Sequence, residues 1–117
     1  MTGKPYDLEE RTFQFANNVR RFCKTIPMSK INIEDSKQII RSSGSVGANY
    51  IEARESLGKK DYLMRLRISR KEAKECAYFL RLIKSSNDKN VQMEAEALRS
   101  EAMEIMRILS TLINKSS

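Results

Sequence analysis

The 117-residue chain has the length of one domain, with 40% hydrophobic and 32% charged residues. Its four glycines and two prolines are few for a β-rich fold, so the composition favours an all-α protein. The net charge of +7 predicts attraction to polyanions such as nucleic acid, and the absence of histidine excludes catalytic and metal sites that require it.

The beginning of the chain and the cysteines suggest a cytoplasmic location. "MTGKPYDLEERTF" lacks the apolar core of a signal peptide, and no stretch approaches the ~18 apolar residues of a membrane span. Cys23 and Cys76 belong to no CxxC pair and lie among apolar residues, which predicts buried, reduced thiols rather than a zinc site. We therefore expect a cytoplasmic protein without a membrane partner.

The first predicted helix covers residues 7–26. Asp7 can cap its start, Glu10 follows three residues later as in a capping box, and Pro27 limits its end. Its apolar seam recurs at spacings of four and three residues and consists of Leu8, Thr12, Phe15, Val19, Phe22 and Ile26.

The second predicted helix covers residues 34–57 and contains the small-residue stretch "RSSGSVGAN". Each glycine inside a helix costs about 1 kcal/mol relative to alanine, and a hinge would avoid that cost. A hinge would also break the four-three rhythm of the seam, which runs through Ile39, Ser43, Val46, Tyr50, Ala53 and Leu57. We therefore favour one continuous helix, in which Gly44 and Gly47 let a neighbouring backbone approach closely.

The third and fourth predicted helices cover residues 59–84 and 90–114, with a polar turn between them and Asn90 as the expected cap of the last. Four amphipathic helices with short connections predict an antiparallel up-down-up-down four-helix bundle. The two seams consist of Tyr62, Leu66, Ser69, Ala73, Cys76, Leu80 and Ile83, and of Val91, Ala95, Leu98, Ala102, Ile105, Leu109 and Leu112.

Three stretches, "DLEERTFQFA", "RSSGSVGANYIEA" and "KKDYLMRLRISRKEAKECAYFLRLI", resemble the small bacterial four-helix-bundle proteins associated with intervening sequences of large-subunit ribosomal RNA genes. These proteins have sometimes been labelled ribosomal proteins. The matching positions are Arg41, Ser42, Ser45, Val46, Ala48, Asn49 and Glu52 in the second helix, and Asp61, Lys71, Glu72, Ala73, Glu75 and Leu80 in the third.

The resemblance implies a four-helix bundle that assembles into a ring-like homopentamer. It also implies kinship with accessory proteins of diversity-generating retroelements, which are basic, pentameric and bind nucleic acid and a reverse transcriptase. A reverse transcriptase or another protein is therefore an expected partner, beside further copies of the chain and RNA or DNA.

Most of the net positive charge is concentrated in the third predicted helix. Residues 59–84 hold nine basic and three acidic residues, a net charge of +6. This pattern predicts contacts with nucleic-acid phosphates and little base readout, and the scarcity of predictable exposed aromatics argues against base stacking. An ordinary solvated basic face would show the same pattern. The candidate binding residues are Arg65, Arg67, Arg70, Lys71, Lys74 and Arg81.

Polar residues on the second helix are candidates for structural contacts. Ser45, Asn49 and Glu52 share one stripe with Ser42 just before it, and we expect this stripe and Glu72 to form a polar contact within or between subunits. Arg41 is a candidate partner for the acidic residues. A small-ligand site is the alternative.

Three Glu-x-x-Glu pairs are the one enzymatic possibility, because paired carboxylates on neighbouring helices can hold magnesium with substrate phosphates. The pairs are Glu52 with Glu55, Glu72 with Glu75, and Glu101 with Glu104. Surface ion pairing is the favoured interpretation. The leading prediction is a non-enzymatic basic scaffold without a metal, cofactor or catalytic residue. The alternatives are a magnesium-dependent nucleotide pyrophosphohydrolase and a purely structural interaction module.

Overall fold

The computed structural model describes residues 7–117, which form four α-helices and no strand. Helix α1 spans Leu8–Thr25, α2 spans Lys30–Arg54, α3 spans Lys59–Ser85 and α4 spans Lys89–Ser116. The prediction of four helices is confirmed. The first six residues of the predicted domain lie outside the described part of the chain.

Side-chain caps fix the beginnings of three helices. Asp7, Ser29 and Asp88 each accept a hydrogen bond from the backbone N–H three residues later, at 3.3, 3.0 and 3.1 Å. The predicted cap of the first helix is confirmed. The predicted cap Asn90 is wrong, because Asp88 caps α4 and Asn90 lies inside the first turn.

Helix α2 begins four residues before its predicted start and ends three before its predicted end. Its first turn hides the usual apolar pattern, because the buried residue is Asn32 whereas Ile31 and Ile33 are exposed. At the other end Glu55 already forms the C-cap. Leu57 is therefore not a seam residue, as predicted, but lies in the turn with its side chain fully exposed.

Contacts between helices run in antiparallel order around the bundle. Helix α1 packs between α2 and α4, and α3 packs between the same two helices on the opposite side. Along α2 and α3, the pairs Asn32–Asn87, Arg41–Glu75 and Asn49–Arg65 pass from one end of the bundle to the other. This order places residues from early in α2 beside residues from late in α3.

The core consists of the predicted seams with few changes. The side chains of Phe15, Ile39, Leu66 and Ile105 are 0–1% exposed, and Cys76 is also buried. In α4 the last buried position is Ile113 instead of the predicted Leu112, which is only partly buried. Both cysteines are free thiols, Cys76 buried and Cys23 half-buried.

Helix α2 runs without interruption through its small-residue stretch, so the prediction of one continuous helix is confirmed. No glycine among residues 7–117 has a positive φ. A Cβ atom added at Gly47 would lie 2.9 Å from Thr12 Oγ1 and 3.3 Å from Thr12 Cβ, whereas one added at Gly44 would meet only Arg20 Nη2, at 3.5 Å. Gly47 thus permits the predicted close approach of a neighbouring helix, which is α1, and Gly44 contributes much less to it.

A reciprocal pair of side-chain amides joins the first turn of α2 to the connection between α3 and α4, at one end of the bundle. Asn32 Nδ2 donates to Asn87 Oδ1 and Asn87 Nδ2 donates to Asn32 Oδ1, both at 2.9 Å. The same two amides also donate to the carbonyls of Pro27 and Ile83. Asn32 is 3% exposed, so its polar groups are satisfied inside the protein rather than by solvent.

Candidate nucleic-acid interface

One face of α3 carries a continuous row of exposed residues, spaced four and three apart along about 30 Å of helix. This spacing keeps the side chains on one line, turned away from the α2 and α4 contacts. We call this row the outer stripe; its members are Lys60, Met64, Arg67, Lys71, Lys74, Tyr78 and Arg81.

Part of the outer stripe borders a groove between α3 and α4. The groove encloses ≈ 400 Å³, and its wall includes Met106 and Ser110 of α4. Arg70 lies inside it, half-buried, and its Nη1 donates to Ser110 Oγ at 3.2 Å. The basic residues on the wall, Arg67, Arg70, Lys71 and Lys74, therefore converge on one concave surface.

Within residues 7–117, none of the six predicted binding residues forms an ion pair with a carboxylate. Lys84, one turn beyond the outer stripe, differs in this respect because its Nζ contacts Glu96 Oε1 at 3.1 Å. That hydrogen bond lowers the pKa of the Glu96 carboxyl. Neutralisation by acidic neighbours thus stops where the outer stripe begins.

Arg65 lies apart from the other predicted binding residues. It is half-buried on the α2 side of α3, and its Nη1 donates to Asn49 Oδ1 at 3.1 Å. Five of the six candidates therefore share the outer stripe and the adjoining groove, whereas Arg65 supports the contact between α2 and α3.

The predicted polar stripe of α2 divides into separate contacts. Asn49 binds Arg65 and also donates to the carbonyl of Ser45, at 2.9 Å. Ser42 is buried and donates to the carbonyl of Gln38, while Glu52 is exposed. The stripe is thus not one cluster, and Glu72 lies outside it.

Arg41 bridges α2 to both members of one glutamate pair on α3. Its Nη1 lies 3.2 Å from Glu72 Oε1, and its Nη2 is hydrogen-bonded to Glu75. This contact matches the expectation that Arg41 meets an acidic residue of another helix. A further interhelical bond was not predicted: the buried Ser69 hydroxyl donates to the carbonyl of Val46 at 2.7 Å.

Arginines also bind Glu101 and Glu104, the pair of α4 carboxylates that was considered as a metal site. Glu101 makes two hydrogen bonds with Arg11 of α1, at 2.7 and 2.9 Å, and Glu104 binds Arg107 at 2.6 Å. No group of three or more acidic or cysteine side chains among residues 7–117 has the proximity needed to hold a metal ion. The observed geometry of these carboxylates is that of ion pairs between and along helices.

A second concave surface lies between α1 and α2. This groove of ≈ 520 Å³ has mainly apolar walls, which include Gly44, Gly47 and Ala48. The exposed side chains of Phe13 and Ile51 stand in its lining. Its lining residues all belong to α1 and α2, so it does not include the outer stripe.

Tyr78 is the aromatic member of the outer stripe, and like Lys60 and Met64 it was not among the predicted binding residues. Its side chain is 56% exposed, whereas few exposed aromatic residues were predicted. The signal was present in its spacing, because Tyr78 follows Lys74 by four residues and precedes Arg81 by three. An exposed ring therefore stands in a row of cations.

The fold and this surface define a class of protein: a small antiparallel four-helix bundle with a row of exposed cations on one face of α3. The chain belongs to the 23S rRNA-intervening sequence protein family, whose sequence model matches residues 5–111. The predicted family is thereby confirmed.

A solved structure supports the same assignment. The chain is 29% identical to a protein of unknown function from the S23 ribosomal protein family of Bacteroides thetaiotaomicron, with a TM-score of 0.80 over 91% of this chain and 97% of that one. A comparison with curated proteins gives no match. None of the helices formed by residues 7–117 combines the length and apolar character needed to cross a membrane.

Proposed function

We propose that this protein is a non-enzymatic, oligomeric scaffold that binds RNA or DNA through phosphate contacts of the outer stripe and its groove. The observation that carries the proposal is the row of cations without carboxylate partners among residues 7–117. Cationic side chains within one or two helical turns of each other repel, and an anionic ligand would reduce this electrostatic repulsion.

The test is the dependence of affinity on salt. The logarithm of the observed binding constant falls linearly with log[salt]. The slope is about −0.7 per phosphate contact for a single strand and about −0.9 for a duplex. The double variant Arg67→Glu with Lys74→Glu removes two contacts, so we expect weaker binding and a slope that is shallower by roughly 1.4–1.8. Fluorescence anisotropy with labelled RNA and DNA, at several salt concentrations, measures both.

A matched control separates local contacts from net charge. The double variant Arg21→Glu with Lys24→Glu reverses two exposed cations on α1, outside the outer stripe. Both double variants lower the net charge equally, and only the α3 variant should change the slope. Equal losses would reduce the effect to overall charge, and absence of binding by the unaltered protein at low salt would contradict the proposal.

Self-association forms the second half of the proposal, with a ring-like homopentamer as the expected assembly. Support comes from the apolar groove between α1 and α2, because its exposed Phe13 and Ile51 side chains are suited to contact with another protein surface. A ring would repeat the outer stripe in every copy, so weak phosphate contacts would gain by multivalency.

Light scattering after gel filtration tests the assembly. We expect Ile51→Glu, which places a charge in the α1–α2 groove, to lower the molar mass of the particle. Met93→Glu is the control, since Met93 is an exposed residue of α4 outside that groove. A monomeric mass for the unaltered protein would refute self-association. The test of nucleic-acid binding would not be affected, because it does not depend on the oligomeric state.

A further inference from the structure

We infer that the outer stripe binds single-stranded nucleic acid and that the ring of Tyr78 stacks on an unpaired base. This inference rests on the proposed function and adds the class of ligand. Phosphate contacts by themselves do not distinguish a duplex from a single strand, whereas an aromatic face accepts a base only when that base is unpaired or at a strand end.

The position of Tyr78 is the first argument. It lies about 6 Å along the helix axis from Lys74 and about 4.5 Å from Arg81, at the helical rise of 1.5 Å per residue. A strand whose phosphates contact these two cations would pass over the ring between them. Aromatic rings interleaved with basic residues are the arrangement that proteins use to bind single strands without strong sequence preference.

The support of the ring is the second argument. Tyr78 contacts Phe79 edge to face, with ring centroids 5.5 Å apart and an interplanar angle of 81°. Phe79 is itself half-buried and packs against the core. The Tyr78 ring is therefore held by a fixed neighbour while more than half of its surface remains open to a ligand.

The third argument is that Tyr78 does little for the fold. Its ring is not part of the buried core, and 56% of its surface is exposed. If position 78 served only to keep the helix face soluble, any polar residue would suffice there. Here a large apolar ring is exposed in a row of cations that attracts polyanions.

The experiment compares Tyr78→Ala and Tyr78→Phe with the unaltered protein. The probes are labelled RNA and DNA of mixed sequence, as single strands and as duplexes, about 20 nucleotides long and thus longer than the ~4–16 nucleotides covered by one single-strand-binding module. Met93→Ala is the matched control, because Met93 is a large apolar side chain of similar exposure, 69%, that lies on α4 outside the outer stripe and outside both grooves.

We expect Tyr78→Ala to weaken single-strand binding about 5- to 150-fold, which corresponds to the loss of one stacked base. Tyr78→Phe keeps the aromatic face and should retain the affinity, and Met93→Ala should leave it unchanged. Duplex affinity and the salt dependence should be the same in all four proteins, because their phosphate contacts are intact. Comparison of the RNA and DNA strands shows whether the sugar contributes.

Two results would overturn the inference in distinguishable ways. If Tyr78→Ala binds single strands as tightly as the unaltered protein, while the Arg67→Glu and Lys74→Glu variant loses affinity, stacking is wrong and phosphate binding stands. If the unaltered protein binds neither single strands nor duplexes at low salt, the proposed function fails, and the inference fails with it. Thermal unfolding followed by circular dichroism confirms that each variant is folded.

Discussion

Substitution of the two helical glycines of α2 by alanine should change stability in opposite directions. Gly44 and Gly47 lie three residues apart on the same side of one helix, so both substitutions gain the same helix propensity. They differ in what the new methyl group meets. At Gly44 it would meet one flexible arginine terminus at 3.5 Å, and at Gly47 it would press on the buried Thr12 at 2.9 Å.

The magnitudes follow from two opposing effects. Alanine instead of glycine stabilises a helix interior by about 1 kcal/mol, and this gain is available in full at Gly44. Overpacking costs typically ~1–3 kcal/mol, and at Gly47 it would require Thr12 to move. Thr12 is 1% exposed and its hydroxyl donates to the carbonyl of Glu9 at 2.9 Å, so it has little freedom. We expect Gly44→Ala to stabilise by about 0.5–1 kcal/mol and Gly47→Ala to destabilise by roughly 1 kcal/mol.

Urea unfolding followed by circular dichroism measures the difference, at one fixed protein concentration because association shifts apparent stability. A double variant with Thr12→Ala tests the cause, since removal of the Thr12 hydroxyl should relieve part of the Gly47→Ala penalty. The reasoning would be refuted if Gly47→Ala were as stable as Gly44→Ala. That result would mean that α1 can withdraw from α2 at no measurable cost.

Two further predictions concern buried polar groups. Asn32→Ala should lower the free energy of unfolding by about 1–3 kcal/mol, because it leaves the Asn87 amide without its partner; a urea midpoint shift equivalent to less than 0.5 kcal/mol would contradict this. Burial raises the pKa of the Cys76 thiol from 9.0 to about 12, so between these pH values this thiol ionises readily only in the unfolded chain. Its contribution to stability should therefore be constant below about pH 9 and be lost as the pH rises from there towards 12. Urea unfolding at pH 7 to 11 should show this decline, and Cys76→Ala should reduce it; an identical decline in both proteins would exclude Cys76 as its cause.

The helices and the core were predictable because each seam repeats a strong local signal. Leu8, Phe15 and Val19 follow one spacing rule, and the structure buries all three. The start of α2 was not predictable in this way, because Asn32 is buried through an amide partner 55 residues away in sequence. Apolar periodicity cannot reveal a position that is satisfied by a hydrogen bond from another turn.

The site was predictable in composition but not in arrangement. The number of charged residues identifies α3 as the basic helix. Only the packing of the helices distinguishes Arg65, which donates a hydrogen bond to Asn49 of α2, from Arg67, which remains exposed. The same limit hid Tyr78, since a tyrosine on an amphipathic helix is as readily a seam residue, like Tyr62 on the same helix, as an exposed one. Exposure depends on where the neighbouring helices stop, and that is a property of the bundle.

The two faces of α3 meet opposite physical demands. Its inner face uses small residues such as Ser69 and Ala73, which are 0% and 1% exposed, so that α2 and α4 can pack closely. Its outer face places Lys71 and Lys74 beside each other without a carboxylate partner among residues 7–117, an arrangement that opposes folding by a few tenths of a kcal/mol for each like-charged pair. Arg41 on α2 already binds both nearby glutamates of α3, so those carboxylates are not available to offset this repulsion. The outer face gains nothing in stability from this pattern, and under the proposed function an anionic ligand outside the chain would supply the compensating interaction.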